Sequence, residues 1–588
     1  TGATTLGGAV GGTTPLTSMT TNAGGTLAIN GGSVATSGAQ TYGEAITLGA
    51  DSTLSASRVT LGAAVSGAHA FAVNGAATLN GGSVNTGSAA QSYSSTVDLG
   101  ADTTLTASSV TLNGAVSGAH TFTVNGDTAI NGGSVTTGAQ SYSGAVTLGA
   151  NTALNAGSGD VTLSSTVDGG YALTVNSTGA TTFGAAVGGL TPLTSVTTNA
   201  GGTLVMNGGA VTTTGAQSYG EAITLGHDTT LTATGVTFGG AVSGAYALTV
   251  DGTAAIQGGS VNTSTSAQHY IGAVTLTGAS TLTASGVTFD SAVTGNNSLS
   301  VNGTTTLNGG SITTTGAQSY SGAMTLGHDT TLAASSGDVS LGSTVNGAYA
   351  LAVNSTGTTT FGGAIGGGIA LTSVTTHAGG TLVMNGASIT TTGNQSYGEA
   401  VTLGANTTLA AGSGDVTLSS TVNGAYALTV NSTGTTTFGG AIGAGTALTS
   451  VTTNTGGTLV MNGGSITTTG AQSYGEAITL GADTTLSTGS ADVTLSSTLN
   501  GAYALTVNST GTTTFGGAIG GGTALTSVTT NTGGTLVMNG GSITTTGNQS
   551  YGEAVTLGAN TILAAGSGDV TLSSTVNGAY ALTVNSTG

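Results

Sequence analysis

The sequence predicts an all-β protein: a single right-handed parallel β-helix, a solenoid with about three short strands in each coil of about 24–29 residues. Three observations predict it. First, a glutamine-x-tyrosine motif recurs nine times, with its tyrosines at Tyr42, Tyr93, Tyr142, Tyr219, Tyr270, Tyr320, Tyr397, Tyr474 and Tyr551, so that successive positions differ by 51, 49, 77, 51, 50, 77, 77 and 77. Two repeat lengths that differ by about 26–28 residues imply the gain or loss of one structural unit of that size, the coil of a solenoid. Second, apolar and small polar residues alternate: Ile478 and Leu480 flank Thr479, Val493 and Leu495 flank Thr494, and Leu505 and Val507 flank Thr506. A period of two belongs to a strand. Third, the alternating runs are separated by Asn-Gly, Gly-Gly and Gly-Ala-Asp, residues that accept left-handed backbone angles or bond their own backbone in turns.

The long repeat from Gln472 to Asn548 divides into three stretches, Gln472–Asn500, Gly501–Ala524 and Leu525–Asn548, beginning QSYGEAITL, GAYALTVNSTG and LTSVTTNTGG. The short repeat from Gln268 to Ala317 passes from the second type of stretch directly into the third, as though one coil had been removed. Repeats start near residues 40, 91, 140, 217, 268, 318, 395, 472 and 549, and residues 1–588 read as one continuous solenoid of roughly 23 coils. Like strands are expected to stack as rows of like side chains, whereas a sandwich of hairpins gives no reason for an insertion to preserve phase. The right hand follows from the rule for parallel crossovers. Alternation should turn Ile478, Leu480, Leu505, Val507, Leu459 and Met461 inward, and Thr479, Thr506 and Val460 outward. The opening TGATTLGGAVGGTTPLTSMTTN matches the segment from Thr178 to Asn199, and the final NSTG stops in the same phase. Neither end departs from the repeat as a cap would, so the chain reads as a piece of a longer one. Its terminal coils should expose residues such as Leu582 and Val584, to be covered by further repeats or by a neighbouring subunit.

Only 4% of residues are charged, far below the usual quarter, so the surface is not that of an ordinary cytosolic protein. Hydrophobic residues make up 37% and recur at fixed phase, which argues for order despite low complexity. With no Cys there are no disulfides or thiolate metal sites. The net charge of −19 with one basic side chain, Arg58, argues against nucleic acid and anionic lipid as partners. No apolar run reaches the length of a membrane span, so no transmembrane segment is expected in this stretch.

Candidate sites follow the same repeat. Glu44, Glu221, Glu399, Glu476 and Glu553 stand two residues after the motif tyrosine, where other copies have Ser95, Gly144, Gly272 or Gly322; such exchange suggests a corner where a strand begins rather than a catalytic pair. Asp51, Asp102, Asp228, Asp329 and Asp483 align with Asn151, Asn406 and Asn560 and with Ser280, which suits a turn and leaves at most weak surface calcium binding. The histidines His69, His120, His227, His269, His328 and His377 fall in at least four phases and form no metal or acid–base set. No catalytic, cofactor-binding or metal residue is assigned. The nine motif tyrosines are candidates for glycan contact or for packing, as are Tyr171, Tyr246, Tyr349, Tyr426, Tyr503 and Tyr580 in the GAYAL position. Ser465, Thr467 and Thr469 share one face, opposite Ile466 and Thr468.

The segment Gly456 to Leu486, GGTLVMNGGSITTTGAQSYGEAITLGADTTL, resembles the repeats of filamentous-haemagglutinin-type adhesins and related autotransporter passengers, and the resemblance spans nearly the whole chain. It implies a secreted bacterial cell-surface protein that contacts other cells, glycans or its own kind. Its repeats are longer than is common in that group. The expectation is a non-enzymatic extracellular structural or adhesive fibre that self-associates, end to end or laterally, or extends from the cell. A glycan-binding adhesin acting as an isolated rod is the alternative. Ice binding and polysaccharide degradation rank lower, because threonine rows are irregular and a uronate lyase needs basic residues beyond Arg58.

Overall fold

A computed structural model describes Gly2–Gly588; among these residues there is no helix, and the chain is a parallel β-solenoid of about 29 coils. It divides into two compact units, Thr1–Asp290 and Ser291–Gly588. In each, three short strands and three tight corners make one coil. Steps between stacked residues are shortest at ladders such as Thr128 to Val146 and longest at ladders such as Ile442 to Ile466. Coils are therefore shorter than the motif spacing suggested, and more numerous than the roughly 23 counted from it. The reason is that corners such as Asn462-Gly463-Gly464 need only a few residues. Gly464 takes φ +74° there, and any side chain on Gly463 would strike the Gly440 carbonyl.

Following the ladders within Thr1–Asp290 shows why the repeat and the coil differ in length. Val34, Leu54, Val73 and Tyr93 stack in one ladder. Ile46, Val65, Val84, Leu105, Val124 and Tyr142 stack in a second. Gln40 begins a third, which passes through Val59, Ala77, Val97, Val116, Val135, Leu154, Val175 and Thr198 and reaches Tyr219 after nine coils. Successive motifs thus occupy the three faces in turn, and the fourth regains the first face. In Ser291–Gly588 three long repeats close the same circuit in eleven coils, from Gln318 through Val339, Thr359, Leu382, Val401, Val422, Ile442, Ile466, Leu486, Val507 and Thr530 to Tyr551. A long repeat is therefore three and two-thirds coils and a short one two and two-thirds. The inferred difference of one coil stands, but like side chains do not form rows. Tyr397 instead stacks on Leu418, then Phe438, Met461 and Leu480.

The strand phase is as the alternation requires. Leu459, Met461, Ile478, Leu480, Leu505 and Val507 are buried, Thr479 is exposed, and Val460 and Thr506 are half-buried on the outer surface. In the last coil Leu582 is half-buried, and Val576, Tyr580 and Val584 are exposed.

Candidate functional site

The glutamine-x-tyrosine motif is an interior structure. Gln472 and Tyr474 are two residues apart, so both point inward, and both are fully buried. Gln472 Nε2 donates to the carbonyls of Ile466 (3.0 Å) and, in the next coil, Ser487 (3.1 Å), while Tyr474 Oη donates to Gln472 Oε1 at 2.9 Å. The amide thus adds a side-chain bond to two carbonyls at a corner, where Ser487 O also accepts the backbone N–H of Thr468 (2.9 Å), and the phenol closes the amide. All nine copies repeat this, each glutamine bonding one carbonyl five to seven residues earlier and one fifteen residues later. Burial raises the ionisation of these phenols well above its ordinary range. Of the two roles expected for Tyr42, Tyr93, Tyr142, Tyr219, Tyr270, Tyr320, Tyr397, Tyr474 and Tyr551, packing is therefore the one they fill; no ring is at the surface for a glycan.

The glutamates are also inside. Glu221, Glu399, Glu476 and Glu553 are 1–2% exposed and Glu44 is 9% exposed. Alternation carried the signal, because Gln472, Tyr474, Glu476, Ile478 and Leu480 share one parity and all five are buried. Exchange at this position is not free. Each glutamate follows a repeat containing the Gly-Gly-Thr-Leu segment, at Gly25, Gly202, Gly380, Gly457 or Gly534, and the copies with Ser95, Gly144, Gly272 or Gly322 lack it. In those copies the preceding coil is closer: a Cβ on Gly144 or Gly322 would strike the backbone of Gly126 or Gly303.

Beside Glu553 the preceding glycine segment is closely packed. A methyl group on Gly534 would meet the Gly511 carbonyl and lie 3.1 Å from Ser509 O and 3.2 Å from Glu553 Oε1. Ser509-Thr510-Gly511 is fixed by its own bonds: Ser509 N donates to Asn531 Oδ1 (2.9 Å), Ser509 Oγ to Ala491 O (2.7 Å) and Gly511 N to Ser509 Oγ (3.0 Å). Thr513 Oγ1 donates to Glu553 Oε1 at 3.2 Å, as Thr436 does to Glu476 (3.3 Å) and Thr359 to Glu399 (3.4 Å). The second oxygens of Glu399, Glu476 and Glu553, and both of Glu221, are buried and make no well-formed hydrogen bond, with the hydroxyls of Thr376, Thr453, Thr530 and Thr198 as their polar neighbours. Burial pushes the carboxyls of Glu221 and Glu553 up to about 7 and raises those of Glu399 and Glu476; threonine hydroxyls offset part of the effect.

The turn aspartates act as backbone acceptors. Asp51 Oδ1 accepts from Ala70 N, Asp102 from Thr121 N, Asp228 from Ala247 N, Asp329 from Ala350 N and Asp483 from Ala504 N, each at 2.9 Å. The Thr121 N–H, above all, holds the Asp102 carboxyl below the usual range. Asn151, Asn406 and Asn560 make the same bond at 3.0 Å, so one side-chain oxygen suffices and charge is incidental. Ser280 does not belong to this set. Its hydroxyl bonds the carbonyl two residues back, as Ser52 and Thr103 do, and Ala279 holds the aspartate position. Histidine contacts are local: His227 and His328 stack on Tyr246 and Tyr349 with ring centres 6.2 Å apart, and His69 and His120 lie 3.6 Å from Asp51 and Asp102. Among the described residues no three His, Asp or Glu side chains gather at one point. The GAYAL tyrosines Tyr171, Tyr246, Tyr349, Tyr426, Tyr503 and Tyr580 are the exposed aromatic set, at 38–51%. Ser465, Thr467 and Thr469 face outward and Ile466 and Thr468 inward, as the alternation indicated.

Comparison with protein families, curated proteins and solved structures finds no match. Among the described residues no helix is long and apolar enough to cross a membrane.

Proposed function

We propose that this chain is a non-enzymatic structural or adhesive fibre of a bacterial cell surface, extracellular, and self-associating or extending from the cell. The observation that carries the reading is where the recurrent residues go. Glutamine and tyrosine, the most regular features of the sequence, are spent on bonds between coils, so the repeat serves to propagate the fold. Outside, the repeat presents hydroxyl-bearing strands such as Ser465–Thr467 with few charges, a surface suited to lateral contact. The resemblance of Gly456 to Leu486 to filamentous-haemagglutinin-type repeats agrees with this. A second reading, a glycan-binding adhesin acting singly, is favoured by the exposed tyrosines Tyr171, Tyr246, Tyr349, Tyr426, Tyr503 and Tyr580.

Electron micrographs of the purified protein separate the two. Ordered polymers support the fibre, and single particles that bind cells or a glycan array support the adhesin. Uronate lyase and glycosidase assays should be blank; turnover abolished by changing one Glu or Asp would refute the structural reading. Trypsin should cut once at most, after Arg58, which is exposed but lies within the ladder strand Ser52–Leu61.

A further inference from the structure

We propose that Glu221, Glu399, Glu476 and Glu553 are proton-operated staples: as the neutral acid each ties three successive coils together through two buried threonines, and its corner opens more readily as the pH rises. One threonine lies in the coil directly below, beneath the motif tyrosine: Thr198 pairs with Tyr219, Thr376 with Tyr397, Thr453 with Tyr474 and Thr530 with Tyr551. The other lies two coils below. Thr513 pairs with Leu536 and Leu536 with Val555, and Thr181, Thr359 and Thr436 hold the same place beneath Glu221, Glu399 and Glu476. All eight threonines are buried. To span the intervening coil the glutamate passes a glycine: a carboxyl oxygen lies 2.8 Å from where a Cβ on Gly202 would stand, and 3.2 Å from one on Gly457 or Gly534.

The groups without a well-formed bond point to the proton. They come in matched pairs 23 residues apart, Thr198 with Glu221, Thr376 with Glu399, Thr453 with Glu476 and Thr530 with Glu553. A proton on the second carboxyl oxygen supplies a donor to each pair, while Thr359, Thr436 and Thr513 donate to the first oxygen. Two hydroxyls can bond an ionised carboxylate but cannot balance its charge, and the chain's one Lys or Arg is the exposed Arg58, so the buried group keeps its proton instead. No other charge intrudes. On their own strands the four glutamates have Tyr219, Tyr397, Tyr474 and Tyr551; the coil above carries only Gly, Ala, Ser and Thr at 239–241, 419–421, 496–498 and 573–575; and in the turns below, exposed His377 is the one titratable group, where the other copies have Asn199, Asn454 and Asn531. Asp160, Asp338, Asp415 and Asp492, three coils below, are exposed and accept the N–H of Ala180, Thr358, Thr435 and Thr512. Thr21 and Glu44 repeat the pair, but Thr4, two coils below, is exposed, so that corner is not closed in the same way.

Hydrogen exchange of the full chain, resolved by mass spectrometry and corrected for the intrinsic base-catalysed rate, reads the opening of each corner. An opened corner gives its proton to water, because the exposed carboxyl ionises near 4.5 while the closed one at Glu221 or Glu553 holds on to about 7. Between those values protection should fall by up to about tenfold per pH unit in Thr203–Met206, Thr381–Met384, Thr458–Met461 and Thr535–Met538, and stay level at the corners of Gly144, Gly272 and Gly322, which have no glutamate. Infrared spectra should show a protonated-carboxyl stretch that outlasts those of the exposed aspartates and fades as the pH passes 7. The fourfold variant Glu221→Gln, Glu399→Gln, Glu476→Gln, Glu553→Gln keeps the shape and a donor without a titrating proton, so it should lose the band and hold its protection level across the range. Protection that falls equally beside Gly144, Gly272 and Gly322 would overturn the proposal, as would a carboxyl band that is absent at pH 6 or unchanged in the variant. Should the variant not fold, the unaltered chain decides, through the place where protection is lost and the pH at which the band fades.

Discussion

At the scale of the residue, the side-chain parity assigned to each strand makes a sharp prediction. Leu480 is buried and Thr479 beside it is exposed. Leu480→Asp should cost several kcal/mol by placing an unpaired charge in the core, whereas Thr479→Asp should be mild. Asp98 already occupies the outward place between buried Val97 and Leu99. Denaturant titration of the two variants checks this, and equal losses would contradict the assigned faces. The buried glutamine pair predicts a ranking of a different kind. Tyr474→Phe removes one donor to Gln472 Oε1, a loss of about 1 kcal/mol. Gln472→Ala removes the amide from the Ile466 and Ser487 carbonyls, the second of which keeps the Thr468 N–H, and leaves the buried Tyr474 hydroxyl unpaired, at about 1–3 kcal/mol for a group left without a partner, in addition to the cavity it opens. The glutamine variant should therefore be the weaker by a clear margin, and local hydrogen exchange should rise at the corner that Gln472 closes.

At the scale of the element, the glutamate corner couples stability to pH. Burial raises the carboxyls of Glu221 and Glu553 to about 7, so the folded state holds these protons more tightly than the unfolded chain, where a carboxyl titrates near 4.5. An acid raised in the folded state contributes stability that is complete below its unfolded value and is lost as the pH climbs through the folded one. In metal-free buffer the melting temperature should decline between about pH 4.5 and pH 7, with the Glu399 and Glu476 corners contributing in the same direction. The fourfold variant Glu221→Gln, Glu399→Gln, Glu476→Gln, Glu553→Gln should flatten that decline, and a slope unchanged by it would place the titrating groups elsewhere. The strands themselves were legible in the sequence, because a period of two needs no knowledge of neighbours. The inward place of Glu476 was equally available from the parity of Gln472, Tyr474 and Ile478, yet exchange with Ser95, Gly144, Gly272 and Gly322 argued only for a corner where a strand begins. What alternation could not reveal was the partner of each corner. The Thr513 hydroxyl reaches Glu553 from 40 residues earlier in the chain, and only the stacking of coils brings the two together.

At the scale of the whole molecule, the coil length was the quantity the sequence concealed. Motif spacing reports the repeat, and a repeat that closes a whole number of coils less one third looks the same in sequence as one that closes a whole number. Only the ladder steps, such as Tyr397 to Leu418 and Leu418 to Phe438, measure the coil itself. The distinction has a consequence for engineered chains. Gln395 stacks between Val374 and Val416, and Gln472 between Val451 and Val493, so each repeat meets the same kinds of neighbour. Deleting residues 395–471, one complete repeat, joins Asn394 to Gln472 and sets Gln472 upon Val374 as Gln395 was. Every later strand keeps its inward side chains inward, and later motifs move round to another face. That deletion should leave the strand signal per residue in far-ultraviolet circular dichroism and the cooperativity of melting almost unchanged, since stability in a solenoid is set by nearest neighbours. Deleting residues 395–433, about half a repeat, matches neither a repeat nor the two-coil step from Gln395 to Thr436, and sets the corner residue Gly434 where the strand residue Gln395 stood. The second product, despite losing fewer residues, should melt earlier and less cooperatively and expose apolar surface to a hydrophobic dye; equal behaviour of the two chains would show that the stacking register does not govern the fold.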